Sequence, residues 1–465
     1  MEQVWTNEIT HSNLQERFDA EYYNPKYLKL IKNLDKLRDL RTLDDVARVF
    51  DGPFGSQLHC SDYVQEGIPF LRVQNVKENE INLNNLVFIS KEDHERLKRS
   101  ALVPGNVVMT KTGWLGIAAV IPRSLEECNI RADLAGIVIK QEYKKTINPY
   151  YLASYLNSKF GRFQSKRFNT GSTRPRILIN YVKKIRIPLL PKERQDRIAY
   201  LSFRTKSKIK NMVKKSKDLL GSLSEILLKE LKLNSLTTDG RKFYLVNYSE
   251  LKKRFDPLYY HPKYSELLAE LRKTPYGTKR LDEISNTILS GSYIDEYTEK
   301  GTLYLRVKNI KEGKLDLNDT KFVNIQKSEV PEKIRVQLSD ILLTRTGTIG
   351  ASMVAPKDIV GSVISQHLTR IVIDKDDMNP YYVEAFLNCK LARLQMERGC
   401  TGSMQKELVH KTLKSLIIPK PPKEVQDRIA EMVKKIRKEA TQLMLKAHVL
   451  AKNTNEIVEE LIEEN

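Results

Sequence analysis

Residues 107–116 read VVMTKTGWLG, and residues 341–350 read ILLTRTGTIG. Both stretches place an apolar run, a threonine, a cation, a second threonine and a glycine at the same spacing, 234 residues apart. A loop that occurs twice with such similarity indicates an internal repeat, and a repeat must be recognised before any single motif is interpreted.

Four further pairs of segments extend the repeat on both sides of this loop. Their offsets lie between 231 and 237 residues, so the small drift is explained by short deletions in loops. The period is too long for a solenoid and predicts a duplicated domain with an internal two-fold resemblance. The pairs are RFDAEYYNPKY (17–27) with RFDPLYYHPKY (254–264), GIPFLRVQNVKENEINLNN (67–85) with GTLYLRVKNIKEGKLDLND (301–319), NPYYLASYLNS (148–158) with NPYYVEAFLNC (379–389), and IPLLPKERQDRIA (187–199) with IPKPPKEVQDRIA (418–430).

The first part of each repeat, residues 1–190 and 237–421, alternates short apolar runs with turns. PFLRVQNV, NVVMTKT, AGIVIK and KIRIPLL are predicted strands bounded by Gly, Pro and Asn, and residues 149–160 are a predicted helix. We therefore predict an α+β fold with two tandem mixed α/β domains. The stretch GPFGSQL has only LSGSYID, two residues shorter before Gly301, as its counterpart, which leaves the equivalence of residues 54–58 open.

The second part of each repeat is a predicted long helix that follows a proline. The spacer segments are 191–236 and 422–465, with helices over 191–233 and 422–464. Each helix of about 43 residues would be roughly 64 Å long. Because a single amphipathic helix cannot bury its own apolar stripe, we predict that the two pair as an antiparallel coiled coil, although each could instead fold back on its own domain. The predicted seams are Ile209, Met212, Ser216, Leu219, Leu223 and Ile226 in the first helix, and Leu443, Ala447, Leu450, Thr454, Ile457 and Leu461 in the second.

The composition indicates a folded basic protein of 465 residues. The formal net charge is +21 and the pI about 9.5, although 58 acidic residues are present. A basic excess of this size favours a polyanionic partner, most commonly nucleic acid. No apolar run is long enough to cross a membrane, no secretory signal begins the chain, and the four cysteines lack CxxC spacing. We therefore expect a cytoplasmic protein with reduced thiols and no membrane partner.

Motifs for catalysis or cofactor binding are missing from the sequence. A phosphate-binding P-loop needs its lysine after the glycines, whereas Lys111 precedes Gly113, and no GxGxxG occurs. The NPYY stretches resemble the NPPY signature of amino-methyltransferases, but we interpret Asn148 and Asn379 as helix caps followed by Pro. No histidine has metal-ligand spacing. We predict no catalytic residue, no cofactor and no metal site.

Candidate DNA contacts lie where the repeats share a polar framework or differ beside it. Arg and Lys can pair with guanine, Gln and Asn with adenine, and hydroxyl groups also serve phosphates. Differing residues beside a shared framework are what two related domains would need to recognise two different sequences. The candidates are Arg72, Gln74, Asn75, Lys111, Thr112, Arg167, Arg174 and Arg176 in the first repeat, and Arg306, Lys308, Asn309, Arg345, Thr346, Arg398, Gln405 and Lys406 in the second.

The ordered series of motifs in both repeats resembles the specificity subunit of type I restriction-modification systems. The resemblance rests on GPFGSQLHCSDYVQEGIPFLRVQNV, MTKTGWLG, TGSTRPRI and IRIPLLPKERQDRIA with their second-half echoes, and it covers nearly the whole chain. It implies a non-catalytic subunit with two target recognition domains, which bind double-stranded DNA at an interrupted, bipartite site. It also implies that two helices space these domains and dock two modification (methyltransferase) subunits, with or without restriction subunits. Adenine methylation and ATP-driven cleavage would then belong to the partners.

Two other functions stay open on the sequence alone. A self-contained DNA methyltransferase or nuclease would need a cofactor loop or metal site that the sequence does not display. A coiled-coil scaffold would bind protein through its helices, and its basic charge would be incidental.

Overall fold

The computed structural model describes residues 14, 17–171, 173–234, 243–251, 255–326, 330–401 and 406–464. The chain divides into two compact units. Unit 1 is Met1–Met212 together with Leu445–Asn465, and unit 2 is Val213–Met444. Each unit therefore contains one mixed α/β domain and parts of both long helices.

Unit 1 is built from short strands and short helices that precede the first long helix. Its helices are α1 (Pro25–Leu34), α2 (Leu43–Val46), α3 (Lys91–Arg96), α4 (Pro149–Asn157), α5 (Lys159–Arg167), α6 (Ile179–Lys183) and the long α7 (Lys192–Glu230), which continues into unit 2. Its strands are β1 (Leu40–Thr42), β2 (Ala47–Asp51), β3 (Ile68–Leu71), β4 (Val76–Lys77), β5 (Glu80–Ile81), β6 (Val87–Ile89), β7 (Ala101–Leu102), β8 (Val107–Thr110), β9 (Ala118–Val120), β10 (Cys128–Ile130), β11 (Leu134–Ile139) and β12 (Arg186–Pro188).

Two four-stranded sheets form the centre of unit 1. One is antiparallel in the order β2-β11-β8-β9, and the other has the order β6-β3-β10-β7 with a parallel β3–β10 pair. β1 pairs with β12, and β4 pairs with β5. All four strands proposed for this repeat are present, although PFLRVQNV ends as a strand at Leu71 because a helical turn over Val73–Asn75 follows.

Unit 2 repeats this architecture. The sheet β14-β22-β19-β20 matches the antiparallel sheet of unit 1, and β18-β15-β21 matches the mixed sheet with its parallel pair. Its helices are α8 (Pro262–Leu271), α9 (Pro380–Asn388), α10 (Lys390–Gly399), α11 (His410–Lys414) and α12 (Lys423–Glu463). Its strands are β13 (Thr278–Arg280), β14 (Ser285–Ser290), β15 (Thr302–Leu305), β16 (Ile310–Lys311), β17 (Lys314–Leu315), β18 (Lys321–Val323), β19 (Ile341–Thr344), β20 (Ser352–Val354), β21 (Val363–Ile364), β22 (Leu368–Ile373), β23 (Cys400–Thr401), β24 (Glu407–Leu408) and β25 (Ile417–Pro419).

The NPYY stretches are helix starts, as predicted. The Asn148 side chain accepts a hydrogen bond from the Tyr150 amide, and Asn379 does the same for Tyr381, with Pro at the first helical position in each case. Each Asn also donates to an aspartate near the start of a long helix: Asn148 to Asp196 and Asn379 to Asp427. The caps therefore join each domain to the helix that follows it.

The antiparallel pairing of the long helices is visible inside each unit. In unit 1 the Thr205 and Thr454 hydroxyl oxygens lie 3.1 Å apart. In unit 2 the Ser216 hydroxyl donates to the Ala440 carbonyl oxygen at 3.0 Å, while Glu230 and Arg428 form an ion pair at 2.8 Å. Residues later in α7 thus contact residues earlier in α12, as an antiparallel coiled coil requires. Ser216 and Thr454, two polar seam positions, are both buried.

The seam prediction was wrong at one position. Ile457 is 42% exposed, and the neighbouring Val458 is 5% exposed and belongs to the unit 1 core. An α-helix has 3.6 residues per turn, so a strict alternation of three and four drifts off the buried face, and a second step of four from Thr454 corrects the drift. The first helix also ends earlier than expected, at Glu230, because Lys232 adopts a left-handed φ of 54° and the Leu233 amide bonds back to Leu228.

Both cores include residues from the end of a long helix. The unit 1 core contains Val458, Leu461 and Ile462 of α12, and the unit 2 core contains Leu227 and Leu228 of α7. The last turns of a spacer helix thus complete the hydrophobic core of each domain. At roughly 25 cal/mol per Å² of buried apolar surface, such side chains contribute on the order of 1.5–3 kcal/mol each.

Within the described ranges, no helix is both long and apolar enough to span a membrane. The cysteines are free thiols: Cys60 is exposed, and Cys128, Cys389 and Cys400 are buried. Burial raises the pKa of the Cys128 thiol to about 12 and that of Cys389 to about 11, which keeps both sulfurs protonated at neutral pH.

Candidate nucleic-acid interface

The shared Arg-x-x-Asn element is a structural turn in both units. The Asn75 side chain accepts from the Arg72 amide at 3.0 Å and donates to the Asn82 carbonyl at 3.1 Å, and Asn309 makes the equivalent bonds in unit 2. Both asparagines are buried. Their side chains supply the hydrogen-bond donor that a buried backbone carbonyl needs. A base contact by either Asn would require the turn to open.

The arginines of this turn also bind the chain itself. Arg72 donates to the Asn85 carbonyl at 2.7 Å, and Arg306 donates to both the backbone and the carboxylate of Asp319 at 2.9 Å. The turn therefore presents its differing residue, Gln74 in unit 1 and Lys308 in unit 2, as the exposed side chain. Lys308 forms an ion pair with Asp319.

The TKTG loop begins where β8 ends, and its lysine is internal. The Thr110 hydroxyl bonds to the Trp114 carbonyl, and Gly113 has a φ of 74°, a backbone conformation that favours glycine. Lys111 is only 2% exposed and forms an ion pair with Asp51. Trp114, by contrast, is 74% exposed. The indole is thus the large side chain that this loop presents to solvent.

In unit 2, Arg345 takes the position of Lys111, and different residues bind its positive charge. Arg345 donates to the Ser290 hydroxyl at 2.6 Å and forms an ion pair with Glu407 at 2.7 Å. Ser290 replaces Asp51 in the strand register, since each pairs with the second residue of the adjacent strand. The Ser290 hydroxyl also contacts His410 at 2.6 Å, and burial together with the Arg345 cation lowers the pKa of this imidazole.

The segment at 170–177 lies directly beside the TKTG loop. The Gly113 amide donates to the Pro175 carbonyl at 2.8 Å, and Thr112 forms a β-bridge with Arg176. Arg174 and Arg176 are exposed there. In unit 2 the matching bridge joins Thr346 to Glu407, beside the exposed Lys406. The structure thus brings the TKTG loop and the segment at 170–177, both of which contain predicted DNA contacts, next to each other.

One predicted DNA contact in each domain, Arg167 or Arg398, instead binds the start of its own domain. Arg167 donates to the Tyr22 carbonyl at 3.0 Å, and its guanidinium lies 3.8 Å from the centre of the Tyr22 ring. Arg398 donates to the Tyr259 carbonyl at 3.2 Å and lies 4.6 Å from that ring. Burial lowers the pKa of Arg167. Tyr22 and Tyr23 are buried in the unit 1 core, whereas Tyr259 and Tyr260 at the matching positions of unit 2 are half-buried.

The predicted DNA contacts therefore separate into two classes by exposure. The buried or half-buried ones are Arg72, Asn75, Lys111, Thr112, Arg167, Arg306, Asn309, Arg345, Thr346 and Arg398, whereas the exposed ones are Gln74, Arg174, Arg176, Lys308 and Lys406. Gln405 lies outside the described residues. Positions shared by the repeats, including those with conservative changes, mostly build the framework, and the exposed positions mostly differ between the repeats.

A strand-end triplet escaped the sequence analysis. In unit 2 it is Ser365-Gln366-His367, between β21 and β22, and in unit 1 it is Arg131-Ala132-Asp133, between β10 and β11. The His367 carbonyl accepts from the Arg345 amide at 2.9 Å, and the Asp133 carbonyl accepts from the Lys111 amide at the same distance, which makes the triplets equivalent. They could have been identified by comparing the residues just before the strands LAGIVI and LTRIVI, which are 234 residues apart.

In unit 2 these elements line a cleft of about 580 Å³. Its walls are Tyr293 and Tyr297, its basic edge is Arg306 with Lys308, and the triplet and the loop at Gly347 and Thr348 complete it. Aromatic faces beside cationic side chains suit nucleic acid, because bases stack on the former and phosphates pair with the latter.

Comparison with known proteins agrees with this geometry. A family model described as "Type I restriction modification DNA specificity domain" matches residues 274–449. The EcoBI type I restriction enzyme specificity subunit of Escherichia coli is 32% identical over 97 residues, which is 21% of this chain and 20% of that protein. The type I restriction enzyme specificity subunit MjaX of Methanocaldococcus jannaschii is 23% identical over 384 residues, 80% of each chain. Residues 274–449 thus match a type I DNA specificity domain, and the chain is similar to type I specificity subunits.

Solved specificity-subunit structures share the fold over nearly the whole chain. The S subunit of a type I system from M. genitalium has a TM-score of 0.50 at 13% identity and covers 92% of this chain and 96% of its own. A chain from a study of complex assembly and conformational transition of the type I R-M system has a TM-score of 0.53 at 16% identity and covers 92% and 98%. The predicted α+β specificity-subunit fold with two domains and two long helices is confirmed.

Proposed function

We propose that this chain is a type I specificity subunit and recognises an interrupted, bipartite DNA site, one half-site through residues 1–190 and the other through 237–421. The observation that carries the proposal is a framework that occurs twice with different exposed side chains at matching positions. Gln74 corresponds to Lys308 and Trp114 to Thr348, so two related surfaces would recognise two different sequences. The segments 191–236 and 422–465 would set the distance between half-sites.

The chain itself is proposed to be non-catalytic, to act in the cytoplasm and to leave methyl transfer to modification subunits. The part of the chain that the structure describes contains no cluster of His, Cys, Asp and Glu suited to a metal. The proposal does not rest on that absence. It rests on the family, whose specificity subunits assemble with the other type I subunits.

The test is methylation mapping in cells that express this chain with an adenine methyltransferase partner of the type I class. We expect one methylated motif made of two short specified parts and a fixed unspecified gap. Exchange of residues 1–190 for the corresponding domain of a relative should change one part only. A continuous motif, or a methylation pattern that is unchanged when this chain is deleted, would contradict the proposal.

The unit 1 ends of the long helices are the proposed docking surface for a modification subunit. Tyr200 and Phe203 on α7 are more than half exposed, and Leu445 on α12 is 62% exposed. Large apolar side chains outside the seam have no role in pairing the helices and suit a protein interface. In the second repeat the positions of Tyr200 and Phe203 hold Glu431 and Lys434.

This difference supplies the matched test of docking. The variant Tyr200→Glu/Phe203→Lys carries the residues of the other repeat at the same helical positions. We expect it to fold and to bind duplex DNA unchanged while recovering much less modification subunit on co-purification. Native mass spectrometry of the wild-type complex would test the expected two modification subunits. Undiminished co-purification of the variant would remove this surface from the proposal.

A scaffold that binds only protein makes a different prediction for DNA. A DNA reader with several phosphate contacts loses affinity steeply as salt rises, with a slope of about −0.9 per neutralised phosphate. A slope near zero would favour the scaffold.

A further inference from the structure

The unit 2 cleft contains polar groups that the protein does not satisfy. Ser365 is 6% exposed, and its hydroxyl oxygen has no hydrogen-bond partner among the described residues. Arg306, which follows the neighbouring strand β15, also lines the cleft, and its Nε is likewise buried without a partner among the described residues. Buried polar groups are almost always paired in native proteins. An unpaired donor and an unpaired hydroxyl facing one cleft therefore indicate a ligand that supplies the missing partners.

Two exposed side chains stand next to this hydroxyl on a fixed backbone. Gln366 and His367 both line the cleft. The His367 carbonyl accepts from the Arg345 amide at 2.9 Å, and the Ser365 amide donates to the Leu305 carbonyl at 2.9 Å. The triplet is thus held at both ends by neighbouring strands, so its side chains are presented from a rigid support. Rigid support distinguishes a recognition position from a solvated loop.

We propose that Gln366 and His367 determine the bases that the second repeat recognises, with Ser365 as an additional contact, when the edge of duplex DNA enters this cleft. The proposal rests on the function proposed above and deepens it. A glutamine amide offers a donor and an acceptor that match the N7 and N6 of adenine, and an imidazole can donate to a base acceptor. Tyr293 and Tyr297 would contact the sugar or base faces at the rim.

The first repeat supports this assignment because its triplet has different chemistry. Arg131, Ala132 and Asp133 occupy the same strand end. Unit 1 therefore has a methyl group in place of the Gln366 amide and a carboxylate in place of the His367 imidazole, while Arg131 takes the position of Ser365. The surrounding hydrogen bonds are kept: the Arg131 amide donates to the Leu71 carbonyl at 3.0 Å. A conserved support with exchanged side chains is the arrangement expected of a specificity determinant.

The experiment exchanges residues between the repeats in the full chain, expressed with its methyltransferase partner. Gln366→Ala/His367→Asp gives unit 2 the residues of unit 1, and Ala132→Gln/Asp133→His is the reverse exchange. We expect the first variant to relax or alter one half of the motif and the second variant to alter only the other half. Discrimination between the correct base and a wrong one at the affected position should fall by about 5- to 150-fold, as for loss of one bidentate contact.

Competition binding with duplexes that differ at single positions separates the outcomes. A wild-type chain that yields no interrupted motif would defeat the proposed function itself. A wild-type interrupted motif that both variants leave unchanged would overturn the present inference and leave the function standing. A uniform loss of affinity for every duplex, with unchanged discrimination and an unchanged melting temperature, would assign both side chains to phosphates and would also overturn it.

Discussion

Units 1 and 2 share a backbone framework but balance their buried charges differently. Unit 1 pairs Lys111 with Asp51 inside the domain, which leaves Arg176 exposed beside the loop. Unit 2 has Ser290 in place of Asp51, and its Arg345 uses Glu407, which occupies the position of Arg176. Two exchanges, Asp51 for Ser290 and Arg176 for Glu407, thus accompany the opposite signs of the side chain next to the loop. The charge exposed beside the loop goes together with the residue that ends a strand two positions away in the sheet, Asp51 on β2 or Ser290 on β14.

The units also differ in how a spacer helix is fastened to its domain. In unit 2 the Arg437 guanidinium of α12 reaches Glu384 on α9 at 2.6 and 3.0 Å, and Glu384 is fully buried. In unit 1 the equivalent Lys206 pairs with Glu80, and both side chains of that pair keep contact with water. Burial raises the pKa of Glu384, and Arg437 opposes that rise.

The largest effect is expected from Arg437→Met, which leaves Glu384 buried without its partner. Breaking a buried pair in this way costs about 3–5 kcal/mol. Without the guanidinium, the Glu384 pKa rises further above its ordinary value of 4.5, so the folded state holds a proton that the unfolded chain releases. Unit 2 should therefore lose more stability at pH 8 than at pH 5, as measured by hydrogen exchange of peptides from Pro380–Asn388 at both values.

Lys206→Met is the matched control in unit 1. A partly exposed pair contributes about 0–1 kcal/mol, so this variant should change exchange in unit 1 very little at either pH. Equal losses in the two variants, or a pH-independent loss for Arg437→Met, would contradict the claimed difference in fastening.

A smaller loss, about 2 kcal/mol, is expected for Lys111→Met. Asp51 is left without its cation, but it keeps some access to water, which reduces the cost of an unpaired buried charge. Adding Asp51→Ser, the residue that unit 2 has there, should recover most of the loss because no charge is left behind. Hydrogen exchange of peptides covering β8 measures both. Failure of the second substitution to restore protection would show that the ion pair is not the reason for the loss.

The smallest loss of stability is expected at the helix caps, where the two units are alike. Asn148→Ala and Asn379→Ala each remove a helix cap and should each cost about 1 kcal/mol. The two asparagines make matching bonds, apart from an additional long one of 3.4 Å that Asn379 accepts from the Tyr382 amide. The two losses should therefore agree within a few tenths of a kcal/mol, as judged by exchange in α4 and α9. A clear inequality would break the equivalence of the repeats at this junction.

Much of the fold was predictable because it depends on local chemistry or on periodicity. The caps Asn148 and Asn379 were predictable from Asn-Pro spacing, and the long helices from their proline-free amphipathic runs. The step from Thr454 to Val458 was not, since a fixed heptad pattern cannot indicate where a real helix drifts off its seam. The repeat itself, compared segment by segment, predicted the paired domains.

The candidate site was less predictable because burial is set by residues distant in sequence. The sequence around Lys111 does not indicate that Asp51 neutralises its charge, and the sequence around Arg167 does not indicate that Tyr22 covers its guanidinium. Shared polar residues were interpreted as DNA contacts, whereas Asn75 and Asn309 are internal hydrogen-bonding groups. The triplets at 131–133 and 365–367 were missed because their significance comes from the cleft that they line.

The core of unit 1 has a consequence for biosynthesis. Val458, Leu461 and Ile462 complete that core, yet they are translated after the entire second repeat. At about 5–20 residues per second, the ribosome needs roughly 15–50 s to pass from the end of the first domain to these residues. During that time the first domain exposes the apolar surface that α12 will cover, whereas the core of unit 2 receives its α7 residues before its own strands are made. The half that is synthesised first is therefore the half that finishes folding last, and it would be the natural client of a chaperone.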